Sequence, residues 1–314
     1  MSQEDTMAIT AASKTSEFAG FLKPDQAEAY FAQARKSSSF MQLARQVPLG
    51  INGAEVPVVT SKATAGWVAE GGQKPASKGE LGIKTITPKK IAAIAVVSAE
   101  VVRANPGNYM SLLREDIAEA FAVAFDAAAF HGTSTPFGQH VDQSAKIVEL
   151  GTTVKASGGV YGDIVAGLKL LVTDKKKLTG FAFDRVVEPT FLGAVDNNGR
   201  PLFVETPLED TTSVVTPGRL IGRPAFIGDG LATPVVTGTP NTGGIVGYGG
   251  DWSQAIWGVV GGISYDVSTQ ATVTINGALT SLWENNLVAI RAEAEYGLLI
   301  NDTAAFVKYT DHTA

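Results

Sequence analysis

Cysteine is absent from the 314-residue sequence, and histidine occurs only three times. Without cysteine there is no disulfide, no thiolate nucleophile and no cysteine ligand for a metal. His131, His140 and His312 are too few for a histidine-rich metal cluster. The sequence therefore predicts neither a metal site nor another small-molecule cofactor.

Long apolar runs are also missing. The longest one, residues 91–97 with its extension to 102, is far shorter than the roughly 20 residues that cross a bilayer. Residues 1–12 are polar and acidic, which is not the pattern of a secretory signal. We therefore expect the chain to fold and assemble in a cytoplasm.

Basic residues are in the minority, with 25 Lys and Arg against 31 Asp and Glu, a formal charge of -6. Proteins that bind nucleic acid tightly neutralise its phosphates with basic side chains, so tight DNA binding is not expected. Hydrophobic residues make up 45% of the chain, which suffices for one large or two modest cores.

The first hundred residues predict an arm followed by a long hairpin. Residues 1–47 are rich in Ser, Ala and Gln and hold one short helix candidate at 25–35. Within residues 56–97, two strand-like stretches flank a Gly- and Lys-rich tip at 70–79. The tip has no hydrophobic residue larger than alanine, and an isolated two-stranded hairpin is marginal in water. A neighbouring surface, such as a second subunit, is expected to support it.

The clearest element is an amphipathic helix over residues 108–131. Four large apolar residues recur there every four positions, namely Leu113, Ile117, Phe121 and Phe125. About 22 residues at roughly 1.5 Å each give a helix about 33 Å long, and Gly132 is the expected stop. A helix of this length is expected to form the spine of a flat domain.

The remainder predicts an α+β fold. In residues 141–250, helix-like pieces (161–172 and 188–195) alternate with short strands. The tail is again strand-like. For residues 282–290 the pattern fits either a helix or an extended strand. The glycine-rich stretch at 243–250 lacks the order of a phosphate-binding loop and is interpreted as a flexible connection. The expected tail strands are 255–260, 263–267, 271–275 and 304–309.

Read in order, these segments resemble the phage major capsid family with the Hong Kong 97 type fold. The motifs that carry the resemblance are GWVAE (66–70) with Lys74, Pro75 and Ser77, the helix closing on Gly132, NGRPLF (198–203), LIGRP (220–224) and GDWSQ (250–254). None is specific alone, but their order and spacing match over nearly the whole chain.

The resemblance implies a division of the chain and a structural role instead of catalysis. The implied parts are an N-terminal arm (1–47), an extended loop with its approach (48–97), a peripheral domain (98–140 and 251–314) and an axial domain (141–250). Members form hexamers and pentamers that build an icosahedral shell around double-stranded DNA, with extended loops lying over neighbours. Nothing before Asp25 resembles a fused scaffolding segment, so a separate scaffolding protein is expected, together with a portal protein and decoration proteins.

The same resemblance suggests residues at subunit contacts. The candidates are Trp67, Glu70, Lys74, Lys78, Lys84, Arg200 and Arg223. Some relatives join subunits covalently, and Lys74 and Asn285 match the lysine and asparagine of that crosslink. The assisting glutamate falls on Ala292, with Glu293 one step later, and in a strand that shift turns the side chain to the opposite face. Non-covalent locking is therefore the expectation.

Two other functions remain open at this point. A bacterial encapsulin compartment would share the architecture and enclose cargo enzymes, so the content of the particle separates the two. An α+β enzyme or binding module with a long regulatory hairpin would instead remain a compact monomer at every concentration.

Overall fold

The computed structural model describes residues 38–61, 65–68, 80–105, 109–194, 203–205, 216–234, 243–260 and 263–311. The helix predicted at 25–35 lies outside these ranges. Among the helices described, none combines the length and the apolar character needed to cross a membrane.

Helices and strands are mixed along the chain, which makes the fold α+β. The helices are α1 (Ser39–Leu43), α2 (Ala99–Ala104), α3 (Tyr109–Phe130), α4 (Val160–Thr173) and α5 (Glu188–Gly193). The strands are β1 (Arg45–Gln46), β2 (Ala54–Ser61), β3 (Glu80–Ile86), β4 (Lys89–Ser98), β5 (Ile147–Glu149), β6 (Gly180–Asp184), β7 (Phe203–Glu205), β8 (Thr216–Leu220), β9 (Arg223–Gly228), β10 (Ile245–Gly250), β11 (Ala255–Val259), β12 (Ser264–Ser268), β13 (Thr272–Ile275), β14 (Ala278–Ser281), β15 (Leu287–Ile300) and β16 (Phe306–Thr310).

The long helix α3 confirms the helix predicted from the period of its apolar residues. Ile117, Phe121 and Phe125 are buried along one side. The helix ends at Phe130, and Gly132 follows two residues later with a φ of 68°, which is accessible to glycine without strain. A Cβ atom there would lie 2.6 Å from a ring nitrogen of His140, so the stop also depends on the missing side chain.

One five-stranded sheet supports α3. Its order is β1-β11-β15-β12, and β4 pairs along the other edge of β15 over residues 287–296. Ala292 and Ala294 of β15 face α3 and pack with Ile117 and Phe121. Because these strand residues are small, the helix can lie close to the sheet.

A second, seven-stranded sheet has the order β5-β16-β10-β6-β9-β8-β7. Helix α4 packs beside it, and Ile164 and Leu171 join a buried cluster with Phe181 and Phe183. The last strand, β16, pairs with β10 and β5. Residues 306–310, which the expected division places in the peripheral domain with the rest of 251–314, thus pair in the same sheet as strands from residues 141–250.

The stretch at 243–250 was predicted as a flexible connection, but its residues 245–250 form the largely buried strand β10. A Cβ atom on Gly247 would lie 2.0 Å from the Phe183 ring, and one on Gly250 would lie 2.5 Å from the Phe306 ring. The glycines therefore make room for aromatic rings of the adjacent strands β6 and β16. Sequence reasoning attributed these glycines to chain flexibility and missed this packing role.

The end of the predicted arm also differs from expectation. Residues 38–46 form α1 and β1, and β1 pairs in parallel with β11. Phe40 is fully buried and meets Phe125, Phe130 and Trp252 edge to face, with ring centroids 5.4 to 5.9 Å apart. This part of the segment belongs to the core because it buries a large aromatic side chain.

The predicted hairpin ends earlier than residue 97. Strands β2 and β3 pair with each other, but the strand breaks at Thr87 and Pro88, and β4 then pairs with β15. Proline has no N–H for a ladder, which favours a break at that point. In the tail, the stretch 282–290 is neither one helix nor one strand, because residues 282–286 form a turn and the strand β15 begins at Leu287.

Candidate intersubunit surfaces

The β2–β3 hairpin has one face turned to the body of the protein. Val56 of β2 and Ile86 of β3 are buried there with Leu49 and Ile256. Gly297 of β15 lies beneath, and a Cβ atom on it would come within 2.5 Å of Ile86 and 2.6 Å of Leu49. The base of the hairpin is therefore fixed by close apolar packing.

The opposite face of the hairpin is apolar and uncovered. Leu81 is 75% exposed and Ile83 is 68% exposed, and Ile83 pairs with exposed Pro57 on β2. Side chains alternate along a strand, so Leu81 and Ile83 share the face that points away from Ile86. Full burial of one such side chain contributes roughly 1.5 to 3 kcal/mol, so this face is suited to a partner surface.

Lys84, one of the predicted contact residues, lies on the inner side of the hairpin. Its Nζ donates a hydrogen bond to the backbone carbonyl of Asn301 at 2.8 Å. The ammonium group therefore ties β3 to the residue that follows β15. A contact between Lys84 and another subunit would have to use the ammonium donors that this bond does not occupy.

Trp67 is fully exposed, and the adjacent Val68 is 38% exposed. Three other contact candidates of the tip, Glu70, Lys74 and Lys78, lie outside the described residues. Of the four tryptophans, Trp252 and Trp257 are buried in the core, whereas Trp67 and Trp283 are exposed. An uncovered tryptophan is costly in water and typical of a contact surface.

Three other large apolar side chains are exposed in the C-terminal part of the chain. Val267 on β12 is 56% exposed, Leu279 on β14 is 79% exposed, and Trp283 in the turn after β14 is 76% exposed. Val273 and Ile275 of the β13–β14 hairpin pack around buried Leu282. Each of the three exposed side chains is a candidate for a contact with another subunit.

Arg223 begins β9 and is exposed at the two-residue turn that joins β8 to β9. Ile221 and Gly222 in this turn have positive φ values of 51° and 70°. That geometry is typical of a tight hairpin turn, and it presents Arg223 at the end of the seven-stranded sheet. Arg200 lies outside the described residues.

Of the two crosslink candidates, Lys74 lies outside the described residues and Asn285 lies in the turn between β14 and β15. Asn285 is exposed, and its side-chain amide donates to the Ser281 carbonyl at 2.8 Å. Ala292 is fully buried beneath α3, while Glu293 faces the other way and pairs with Lys90 at 2.8 Å. The carboxylate is thus on the opposite face from position 292, as the strand period predicts.

Among the described residues, a hydrogen-bonded cluster of Tyr248, Asp142 and His131 has the residue types of a catalytic site, but it lies in the core. Tyr248 donates a hydrogen bond to Asp142 at 2.6 Å, and His131 Nδ1 lies 3.1 Å from the same carboxylate. Burial, followed by the charge of Asp142 and its hydrogen bond, raises the pKa of Tyr248 far above its usual range. This network joins α3 to β10 and has a structural role. No group of three metal-ligating side chains occurs among the described residues.

The sequence is similar to a protein family and to individual proteins of known type. The model of the phage capsid family matches residues 19–311. The chain is 45% identical to the probable major capsid protein gp17 of Mycobacterium phage D29, over 94% of this chain and 91% of that protein. It is 44% identical to the probable major capsid protein gp17 of Mycobacterium phage L5, over 94% and 90%.

A solved structure supports the fold. A chain from the structure of Gordonia phage Cozz superposes with a TM-score of 0.69 at 22% identity, covering 100% of this chain and 99% of that one. At that identity the likeness bears on the fold and not on particular contact residues.

Proposed function

The chain belongs to the phage capsid family as a major capsid protein of a tailed phage, and we propose that it builds its shell from hexamers and pentamers in a Hong Kong 97 type arrangement. The family is a structural one and not a family of enzymes. The shell encloses double-stranded DNA without sequence-specific binding, consistent with the net charge of -6.

The exposed outer face of the β2–β3 hairpin carries this proposal. Its inner face is fixed on the body by Val56 and Ile86, while Leu81 and Ile83 remain uncovered. A soluble monomer gains nothing from such a face, whereas a subunit that lies over its neighbour buries it. Trp67, farther along the same loop, extends the apolar contact.

We propose that the parts of the subunit correspond to the two sheets. We assign residues 1–37 to the arm, the β2–β3 hairpin to the extended loop, and the sheet of β15 with α3 to the peripheral domain. The axial domain is the seven-stranded sheet, which takes in residues 306–310 at the C-terminus. Arg223, at the end of this sheet, is suited to contacts around the local symmetry axis.

The remaining contacts are proposed to be non-covalent. Glu70, Lys74, Lys78 and Arg200 are proposed as charged partners of neighbouring subunits, and the exposed side chains of Val267, Leu279 and Trp283 are proposed as further apolar contacts. The protein is a component of the virion, and its assembly takes place in the host cytoplasm. A separate scaffolding protein, a portal protein and decoration proteins are the further partners.

Electron microscopy of the purified protein, expressed with and without a scaffolding protein, tests the proposal. Closed shells of uniform diameter from the expressed protein, and the same shells filled with DNA in the virion, support it. Shells formed correctly from this gene alone contradict the separate scaffold. Particles filled with a cargo enzyme would instead indicate an encapsulin-like compartment, and a compact monomer under all conditions would overturn the shell function.

A further inference from the structure

Asp126 holds the first turn of α1 against the spine helix α3. One carboxyl oxygen accepts a hydrogen bond from the Ser38 hydroxyl, and the other accepts from the Ser39 backbone N–H at 3.0 Å. The Phe40 backbone N–H also donates to this carboxyl group. Three donors from consecutive residues thus converge on one side chain that is 86 to 88 positions away in sequence.

The segment that Asp126 holds is short but well connected. The Ser38 hydroxyl caps α1 by accepting from the Met41 backbone N–H at 3.0 Å. Phe40 fills the aromatic core, and β1 follows two residues after Leu43. Beyond β1, Leu49 packs beneath the base of the hairpin. The Asp126 contact therefore fixes Ser38 and the α1 segment that follows it on the spine helix.

One titratable side chain acts on Asp126 through space. It is His131, which directly follows α3, and behind His131 lie Asp142 and Tyr248. Helix α1 brings a hydroxyl and backbone amides, and its sequence contains no charged residue. Burial raises the pKa of Asp126 to about 7, although the three hydrogen bonds and His131 act in the opposite direction.

We propose that Asp126 is a protonation-dependent latch that holds residues 38–46 on the spine helix when its carboxyl group is neutral and loosens them when it is ionised. The neutral group can donate to the Ser38 hydroxyl while it accepts from the Ser39 amide. The ionised carboxylate is less stable in the held state because burial removes its hydration. It is hydrated again when α1 separates, so ionisation favours release. The device lies within one chain and does not depend on how subunits are arranged.

The direction of the pH effect follows from proton linkage. A released, hydrated Asp126 has an ordinary carboxyl pKa of about 3.9, whereas the held group has a pKa of about 7. Between these values the released state binds fewer protons, so release becomes easier by up to about tenfold for each pH unit. The effect is absent below about pH 4, and above about pH 7 it levels off.

Hydrogen exchange of the peptide covering residues 38–46, in the full chain, measures the latch. The protection factor, corrected for the intrinsic exchange rate at each pH, is expected to fall at least about tenfold between pH 5 and pH 7.5. Asp126→Asn, which stays neutral, should keep the high protection at both values. Asp116→Asn, an exposed aspartate on the same helix, should behave as the wild type.

Two further variants keep the test decisive if Asp126→Asn folds poorly. Ser38→Ala retains the carboxyl group and removes one donor, so it should lower protection at both pH values and keep the pH dependence. His131→Gln should keep the pH dependence as well. A wild-type protection factor that is flat with pH, or a pH dependence that disappears with His131, overturns the latch. Wild-type protection in Ser38→Ala overturns it too.

Discussion

Lys84 reaches across from the hairpin to the backbone carbonyl of Asn301, with Nζ and the carbonyl oxygen 2.8 Å apart. The bond connects strand β3 with the end of the 14-residue strand β15, to which β4 and α3 are also fixed. The hairpin is thus anchored by a charge-assisted bond in addition to the apolar contacts of Ile86. Its outer face is consequently presented in a defined position.

Replacing Lys84 with methionine should weaken this anchor. The variant keeps most of the apolar stem and loses a charge-assisted hydrogen bond, which contributes roughly 1.5 to 3 kcal/mol. Hydrogen exchange at residues 80–86 should become faster, while exchange in α4 stays unchanged. Lys89→Met, at an exposed residue of β4, is the matched control. Equal protection of β3 in both variants would show that the bond does not hold the hairpin.

Charged residues on the outer face of the hairpin should prevent shell assembly. Leu81→Asp and Ile83→Asp leave the subunit folded, because both side chains are already exposed, but they place a charge at the proposed contact. Light scattering and electron microscopy should show free subunits or capsomers instead of shells. The conservative variants Leu81→Ile and Ile83→Leu should assemble. Normal shells from the aspartate variants would exclude this face as a contact.

The glycines of β10 should be intolerant of even a methyl group. In Gly247→Ala the new Cβ atom would overlap the Phe183 ring, and overpacking of this kind costs roughly 1 to 3 kcal/mol. The melting temperature should fall by several degrees. Gly138→Ala is the control, because a Cβ atom there meets nothing within 4 Å. A melting temperature equal to that of the control would contradict the packing role of Gly247.

How far the sequence predicts this structure depends on whether a signal is local. The apolar period of α3, its glycine stop and the tail strands are local, and the structure confirms them. The role of Gly247 depends on Phe183, which lies on another strand of the same sheet, so local reasoning mistook packing for flexibility. The same holds for Phe40, since only the folded core shows where its ring is buried.

The contact candidates stay predictions, and the structure adds only where their side chains lie. Trp67 is exposed, so it is accessible to a neighbouring subunit. The inward direction of Lys84 was not predictable, because it depends on which face of β3 is turned towards Asn301.

Particles should contain no covalent crosslink between subunits. Boiled and denatured virions are expected to run as one band near the chain mass of 32.7 kDa, since position 292 holds a buried alanine where the assisting glutamate would be needed. Ala292→Glu should not create the crosslink. It would place a carboxylate against Ile117 and Phe121, and that burial should reduce the yield of folded protein. A ladder of higher-mass bands from the wild-type particle would refute this prediction.

The most direct measurement of the central claim is a cryo-electron microscopy map of the assembled particle at side-chain resolution. We predict a closed shell in which the hairpin of each subunit lies on its neighbour, with Leu81 and Ile83 covered by that neighbour and Lys84 still bonded to Asn301. A shell in which this face remains exposed to solvent, or a protein that forms no shell, would contradict the account.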